Sequence, residues 1–392
     1  MMTEDWWETP GNPYAPAPRP TVPIIPVTDA ASPSPPAPIP ADAASIRPYE
    51  SYGVPELLAL EAASAALVRL DCGVAAASPA VAAGWVNRMA IEEAAASSRL
   101  NGVLVDTADL RLLAWDSLDR APDPDLAQAL PLYDLVRRLA ARHPRHLYTP
   151  RRLAALDRVR QARATGFTLW NGADEEVDGA ERWAVLQSAL APDTLAGFRA
   201  LPALVGAAAF LAHWHGTRAD RTAGAALGRL LAAWWPARQG LVQARRGGVE
   251  EANLEGSDTG PTHPAFTGGP VLMPSIGFLG YAMDYRPDRQ DGWLLAFLNA
   301  VARSAARGET VLRRLRLAEV QLAEALRPRR STSRGPQVAA YLLAQPVVTS
   351  GRLAQALDMS GTAARSLLDG LRQERLVLEI SGRDAYRAYM VE

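Results

Sequence analysis

The chain has 392 residues and a mass of 42.0 kDa, 48% of them hydrophobic, which is enough for two or three domains with real cores. A single cysteine, Cys72, excludes a disulfide framework and a cysteine-rich zinc site, and fits a reducing compartment. The 41 basic residues nearly balance 42 acidic ones, so at a net charge of −1 no global field attracts nucleic acid and any basic surface must be local. Every basic residue is arginine and none is lysine, which fits either bidentate phosphate contacts or a GC-rich coding sequence that favours Arg and Ala codons. The opening MMTEDWWETPGNP has no basic segment followed by an apolar run, and no stretch reaches bilayer length. A cytoplasmic location without a membrane partner is expected.

Residues 1–54 are predicted to be a disordered Pro-rich tail. Of the 31 prolines, 13 fall within residues 1–50, in runs such as PAPRP and SPSPPAPIP that leave no periodic apolar face. From Pro55, PELLALEAASAALVRLDCGVAAA carries Leu57, Leu60, Leu67 and Leu70 on helical spacing. Helices are predicted at 55–71, 79–97, 107–118, 125–142, 149–164, 180–190, 199–213 and 222–235, with Pro, Gly or Asp between them. Residues 245–292 are rich in Gly, Pro, Asp and Thr and read as a long surface loop followed by short connecting structure. A further helix is predicted over roughly 291–327, with a break near Gly308, ending at the linker RPRRSTSRGP. The fold class is therefore mainly α, with a helical domain over 55–326, a linker over 327–335 and a small separate domain over 336–392.

That last segment begins with a helix at PQVAAYLLAQ and a short extended piece at PVVTSG, where Thr349 or Ser350 can cap the next helix. In LAQALDMSGTAARSLLDGL, a second helix puts Leu353, Ala356 and Leu357 on one face. After a four-residue turn, a third helix capped by Ser360 puts Ala364, Leu367, Leu368 and Leu371 on one face. Such short apolar faces can meet only if the helices cross, which is helix-turn-helix geometry. LVLEI and AYRAYMV then read as two β-like runs around a Ser381-Gly382 turn, which makes a wing. The order resembles a winged-helix domain.

Thr362, Arg365, Ser366, Asp369 and Arg372 point away from the leucine face, and Arg383 and Arg387 sit on the hairpin. Ten Arg against six Asp and Glu over 327–392 make this segment positive in a chain that is otherwise negative, the footprint of phosphate contact. Thr362, Arg365, Ser366, Arg372, Arg383 and Arg387 are accordingly expected to contact double-stranded DNA, with the third helix in a major groove. Asp369, four residues after Arg365, is expected to pair with it. The other reading of this segment is a small helical cap used for dimer packing.

In AIEEAAASSRLNGVLVDTADL, residues 90–110, Ser97 and Ser98 precede Asn101-Gly102. The stretch resembles the inhibitory-helix region of Fic-family proteins, where a Ser or Thr stands four residues before a Glu-Gly or Asn-like pair. Asn101 holds the position where that family usually carries an inhibitory Glu. With the helical centre and the winged-helix end, residues 55–392 resemble a bacterial group of Fic-like proteins with a C-terminal helix-turn-helix. Fic enzymes transfer AMP with a loop of pattern HPFx[DE]GNGRxxR at a helix N-terminus. Its His is the base for the acceptor hydroxyl, and its Gly/Asn loop and Arg hold phosphates.

The nearest counterpart in this chain is RADRTAGAALGRLLAAWW, residues 218–235. With Gly228-Arg229 set on the last two positions of that pattern, Arg218 replaces the His, Thr222 the acid, and Gly224 and Ala226 the phosphate-loop Asn and Arg, so only Gly228-Arg229 at its end survives. His213 and His215 lie just upstream without the acidic, glycine-rich loop after them. HPAFTGG has His263, Pro264 and Phe266 but no Asn or Arg, and Pro270 and Pro274 interrupt any helix there. His143 and His146 lack a third ligand nearby. Asp174, Glu175, Glu176 and Asp178 read as a solvated loop, and Trp234 and Trp235 as core. The resemblance thus implies a DNA-binding regulator of transcription, acting as a homodimer, whose Fic-like body has lost its transferase chemistry. No catalytic residue, metal or cofactor is expected. A divergent AMP transferase and a non-enzymatic interaction protein are the alternatives.

Overall fold

The computed structural model describes residues 52–115, 122–140, 147–150, 153, 179–219, 224–243, 270–289, 291–327, 334–382 and 387–391. These are mainly helical, with one small sheet. The Pro-rich tail up to residue 51, most of the helix expected over 149–164 and most of the loop expected after 245 lie outside the described residues.

The body runs α1 (Val54–Ala75), α2 (Pro79–Leu100), α3 (Thr107–Ala114), α4 (Pro124–Ala140), α5 (Gly179–Ala189), α6 (Pro192–Arg199), α7 (Ala203–Gly216), α8 (Ala225–Arg238), the short α9 (Pro274–Phe278) and the long α10 (Trp293–Ala325). At the centre is α2. Ser78 accepts from the Val81 N–H at 3.3 Å to cap it, Pro79 occupies the first turn where no N–H is needed, and most of its length is buried. Its many alanines let α4, α9 and α10 approach closely.

The helix expected over 199–213 begins instead at Ala203, because Pro202 lacks an N–H and turns the residue before it out of the helical region, and the helix Pro192–Arg199 before it was not expected. The break expected near Gly308 does not occur. Helix α10 runs straight through, and Gly308 is instead a close approach, where an added Cβ would lie 2.7 Å from a Leu70 methyl. The Trp85 indole N–H donates to the Gly308 carbonyl at 2.9 Å.

The core between α6, α7 and α8 is aromatic. Phe210 stacks on Trp235 with ring centres 5.6 Å apart, and Tyr148 meets both edge-on. Trp234 and Trp235 are buried, as expected. A second cluster stacks Phe278 on Trp293, with Tyr285 and Phe297 against them.

The final segment comprises α11 (Gly335–Ala344), β1 (Val348–Thr349), α12 (Ser350–Ala356), α13 (Gly361–Gln373), β2 (Leu378–Glu379) and β3 (Ala388–Met390). The strands pair antiparallel in the order β1-β3-β2, with Val348 opposite Tyr389 and Glu379 opposite the same Tyr389. Thr349 caps α12 through the Arg352 N–H at 3.3 Å, and Ser360 caps α13 through the Ala363 N–H at 3.1 Å. Leu353, Ala364, Leu368 and Leu371 are buried, whereas Ala356, expected on the inner face, is exposed and Ala354 packs instead.

This segment is seated on the body through α11. Asn87 donates to the Ala344 carbonyl at 3.1 Å, and Arg88 to the carbonyls of Leu343 at 2.9 Å and Gln345 at 3.3 Å. Trp115 donates to the Gln345 side chain at 3.1 Å. The carbonyls that end α11, which no helix can satisfy internally, are thus taken by side chains of α2.

Candidate functional site

Of the residues expected to contact DNA, Thr362, Arg365, Ser366 and Arg372 are exposed on α13 and Arg387 is half-buried beside β3. Helix α13 is strongly two-sided. Ala364, Leu368 and Leu371 face inward, and Thr362, Arg365, Ser366 and Arg372 are exposed on the other side. The turn before it is held by Arg334, which donates to the carbonyls of Leu357 and Asp358. Arg365 has no acidic partner among the described residues. Asp369 does not take that role: it lies 4.0 Å from Arg372 Nε, 3.7 Å from Arg387 and 3.1 Å from the Tyr389 hydroxyl. The carboxylate therefore ties α13 to β3, because the strand brings two polar side chains closer than the preceding helical turn does.

At the hairpin, Glu379 accepts from the Ser381 N–H at 2.7 Å, the Gly382 N–H at 2.9 Å and the Ser381 hydroxyl. Burial alone would raise its pKa, yet these hydrogen bonds and the charge of Arg387 outweigh it and hold the carboxyl below its ordinary value. The turn is thus ordered on its β2 side, with Gly382 at φ 64° where L side chains are strained. Arg383 lies outside the described residues.

The second group of expected residues, Ser97, Ser98, Asn101 and Gly102, closes α2. Ser97 and Ser98 are buried, Ser98 donates back to the Ala94 carbonyl at 2.9 Å, and Gly102 turns the chain at φ 83°. Facing them is Arg229 of α8, fully buried at 0% exposure. Its guanidinium donates to the Ser97 hydroxyl at 2.7 Å, the Ser97 carbonyl at 3.1 Å, the Asn101 side-chain oxygen at 3.0 Å and the Tyr285 hydroxyl at 3.5 Å. It also lies 5.3 Å from the centre of the Tyr285 ring. The two stretches singled out in the sequence, 128 residues apart, therefore meet at one arginine.

One turn back on α2 is Glu93, which the sequence reading missed. It is also at 0% exposure and accepts from the Ser275 and Ile276 N–H groups, each at 3.2 Å, at the start of α9. Burial pushes its carboxyl up to about 7, although the hydrogen bonds of Ser275 and Ile276 and the charge of Arg229 pull the other way. The signal was present: Glu93, Ser97 and Asn101 recur every four residues through a run of alanines. Polar groups on one line of an otherwise apolar helix need buried partners.

The remaining counterparts of the transferase loop are dispersed. Arg218 lies two residues beyond α7 with φ 57°, Gly224 opens α8 with φ 99°, and Ala226 is buried. Gly228 packs against Trp214, whose ring would lie 2.4 Å from an added Cβ. His213 is buried edge-on to Phe198. Thr222, His143, His146, His263, Pro264, Phe266, Asp174, Glu175, Glu176 and Asp178 lie outside the described residues. Among the described residues no three His, Cys, Asp or Glu side chains gather as metal ligands, and no helix is long and apolar enough to cross a membrane. No family model matches the chain, and no curated protein is significantly similar to it.

Proposed function

We propose that the chain binds double-stranded DNA through α13, with the β2–β3 hairpin as a wing, and acts as a transcriptional regulator. The observation that carries this reading is α13 itself. It is a capped, two-sided helix that presents Thr362, Arg365, Ser366 and Arg372 to solvent, packs on a shorter helix after a tight turn, and is backed by a sheet in the order β1-β3-β2. That is the element order of a winged helix, in which the second helix of the pair reads base edges. Arg372 and Arg387 are drawn toward Asp369, so Arg365 is the side chain best placed to reach a base edge or phosphate.

We read the helical body as Fic-like, with its transferase chemistry lost. Arg229, which falls on the arginine that ends the transferase pattern, is enclosed with its donors on Ser97, Asn101 and Tyr285, and a phosphate could reach it only by displacing them. The test is fluorescence anisotropy of the full chain on labelled duplex DNA at several salt concentrations. Binding that weakens as salt rises is expected, because arginines release counterions from phosphates. Arg365→Ala is expected to weaken binding by roughly 1–3 kcal/mol if the contact reads a base. Salt-independent affinity, or wild-type affinity in Arg365→Ala, would sink the reading.

A further inference from the structure

A cleft of about 550 Å³ opens on a face of α2 distinct from the one that meets Arg229. Its charged lining is four guanidiniums, from Arg99, Arg111, Arg303 and Arg307, and one carboxylate, from Glu92. Arg307 and Glu92 satisfy each other in a two-pronged pair at 2.6 and 2.8 Å. The other three arginines have no ion-pair partner among the described residues. Arg99 donates to the Val105 carbonyl at 2.9 Å and Arg303 to the Gly277 carbonyl at 2.7 Å. Arg303 also stacks 4.2 Å from the centre of the Tyr281 ring, and Arg111 donates to the Met390 sulfur at 3.1 Å. Arg111 Nε and Arg303 Nη2 are enclosed donors with no acceptor among the described residues.

Gathering like charges and burying donors without acceptors is unfavourable unless an anion completes the arrangement. Arg111 shows the cost: burial lowers its pKa, Arg307 lowers it further, and Glu92 and Asp106 only partly compensate. Planar guanidiniums match the paired oxygens of a phosphate, and the cleft has the volume of a small-molecule site. Ala95, Ile276 and Leu279 add apolar surface beside the charges.

We infer that this cleft binds a phosphorylated small molecule carrying two or more negative charges, held by Arg99, Arg111 and Arg303, with its uncharged part against the apolar wall. Because Arg111 touches Met390 of β3, the occupied cleft would adjoin the final segment, as a site for an effector would. That regulatory role alone rests on the DNA-binding reading.

The test is calorimetric titration of the full chain, without DNA, with inorganic pyrophosphate and with AMP in low-chloride buffer. Both are expected to bind and to raise the melting temperature by mass action. Arg111→Met and Arg303→Met should each weaken binding at least tenfold, while Arg69→Met on the exposed side of α1 leaves it unchanged. Arg99→Met serves the same purpose should either buried-side variant fail to fold. Absence of binding by the wild type, wild-type affinity in the cleft variants, or an equal loss in Arg69→Met would each overturn the assignment. Because no DNA is present, such a failure is distinct from a failure of α13 to bind DNA.

Discussion

Glu93 is a carboxyl whose charge the fold resists. Burial holds its pKa at about 7, above the ordinary carboxyl value of 4.5, so between these values the folded chain holds a proton that the unfolded chain has released. Stability from this residue is therefore greatest below the unfolded pKa, falls as pH rises toward about 7, and is level above that. Glu93→Gln, which cannot ionise, should gain on the wild type by roughly 2–3 kcal/mol between pH 5 and pH 8. Urea unfolding at the two pH values measures this, and parallel behaviour of both proteins would show that the carboxyl titrates normally. Neither Glu93 nor its partners on α9 could be paired from sequence. The polar line through α2 was readable, but Ser275 and Ile276 lie more than 180 residues away in a stretch with no periodic pattern.

Among the elements, α8 and α10 show how much of a helix a glycine decides. Gly228 reads in sequence as the remnant of a phosphate-binding pattern, whereas in the fold it is the place where the Trp214 ring rests on α8. Gly228→Ala should raise intrinsic helix preference yet destabilise the chain by roughly 1–3 kcal/mol through overpacking. The midpoint of denaturant unfolding reports it, and an unchanged midpoint would mean that Trp214 swings aside without cost. Gly308 gives the same lesson from the other direction. A glycine within a long periodic stretch fits either a break or a close approach, and only the neighbour, here Leu70 and Trp85, decides which. Most of the helices were legible because periodicity is local, although α6 was not among those expected. The ends at 200–202 were recoverable from Pro202, and the N-caps at Ser360 and Thr349 from their residue types, because capping chemistry acts within three residues.

At the scale of the whole molecule, the final segment reads in sequence as a small domain after a linker, and the local pattern cannot show that α11 is shared with the body. The seating depends on Gly84, where an added Cβ would lie 2.0 Å from the Leu343 carbonyl oxygen, a backbone atom that cannot rotate away. Gly84→Ala should therefore cost about 3 kcal/mol or more and loosen α11 before the rest of the body. Hydrogen exchange is expected to accelerate over residues 338–348 while α7 and α8 keep their protection; uniform protection would show that the body adapts. The contacts of Asn87 and Arg88 with α11 also set an order of events during synthesis. These two side chains leave the ribosome some 255 residues ahead of the carbonyls they bind. Until Leu343, Ala344 and Gln345 emerge, the groove on α2 holds a charge and an amide without the acceptors that α11 supplies, and the core stays open along one side. The body is thus completed by the same late segment that carries α13, so a nascent chain interrupted before α11 presents an open groove to chaperones and proteases, and an intact body always comes with its α13.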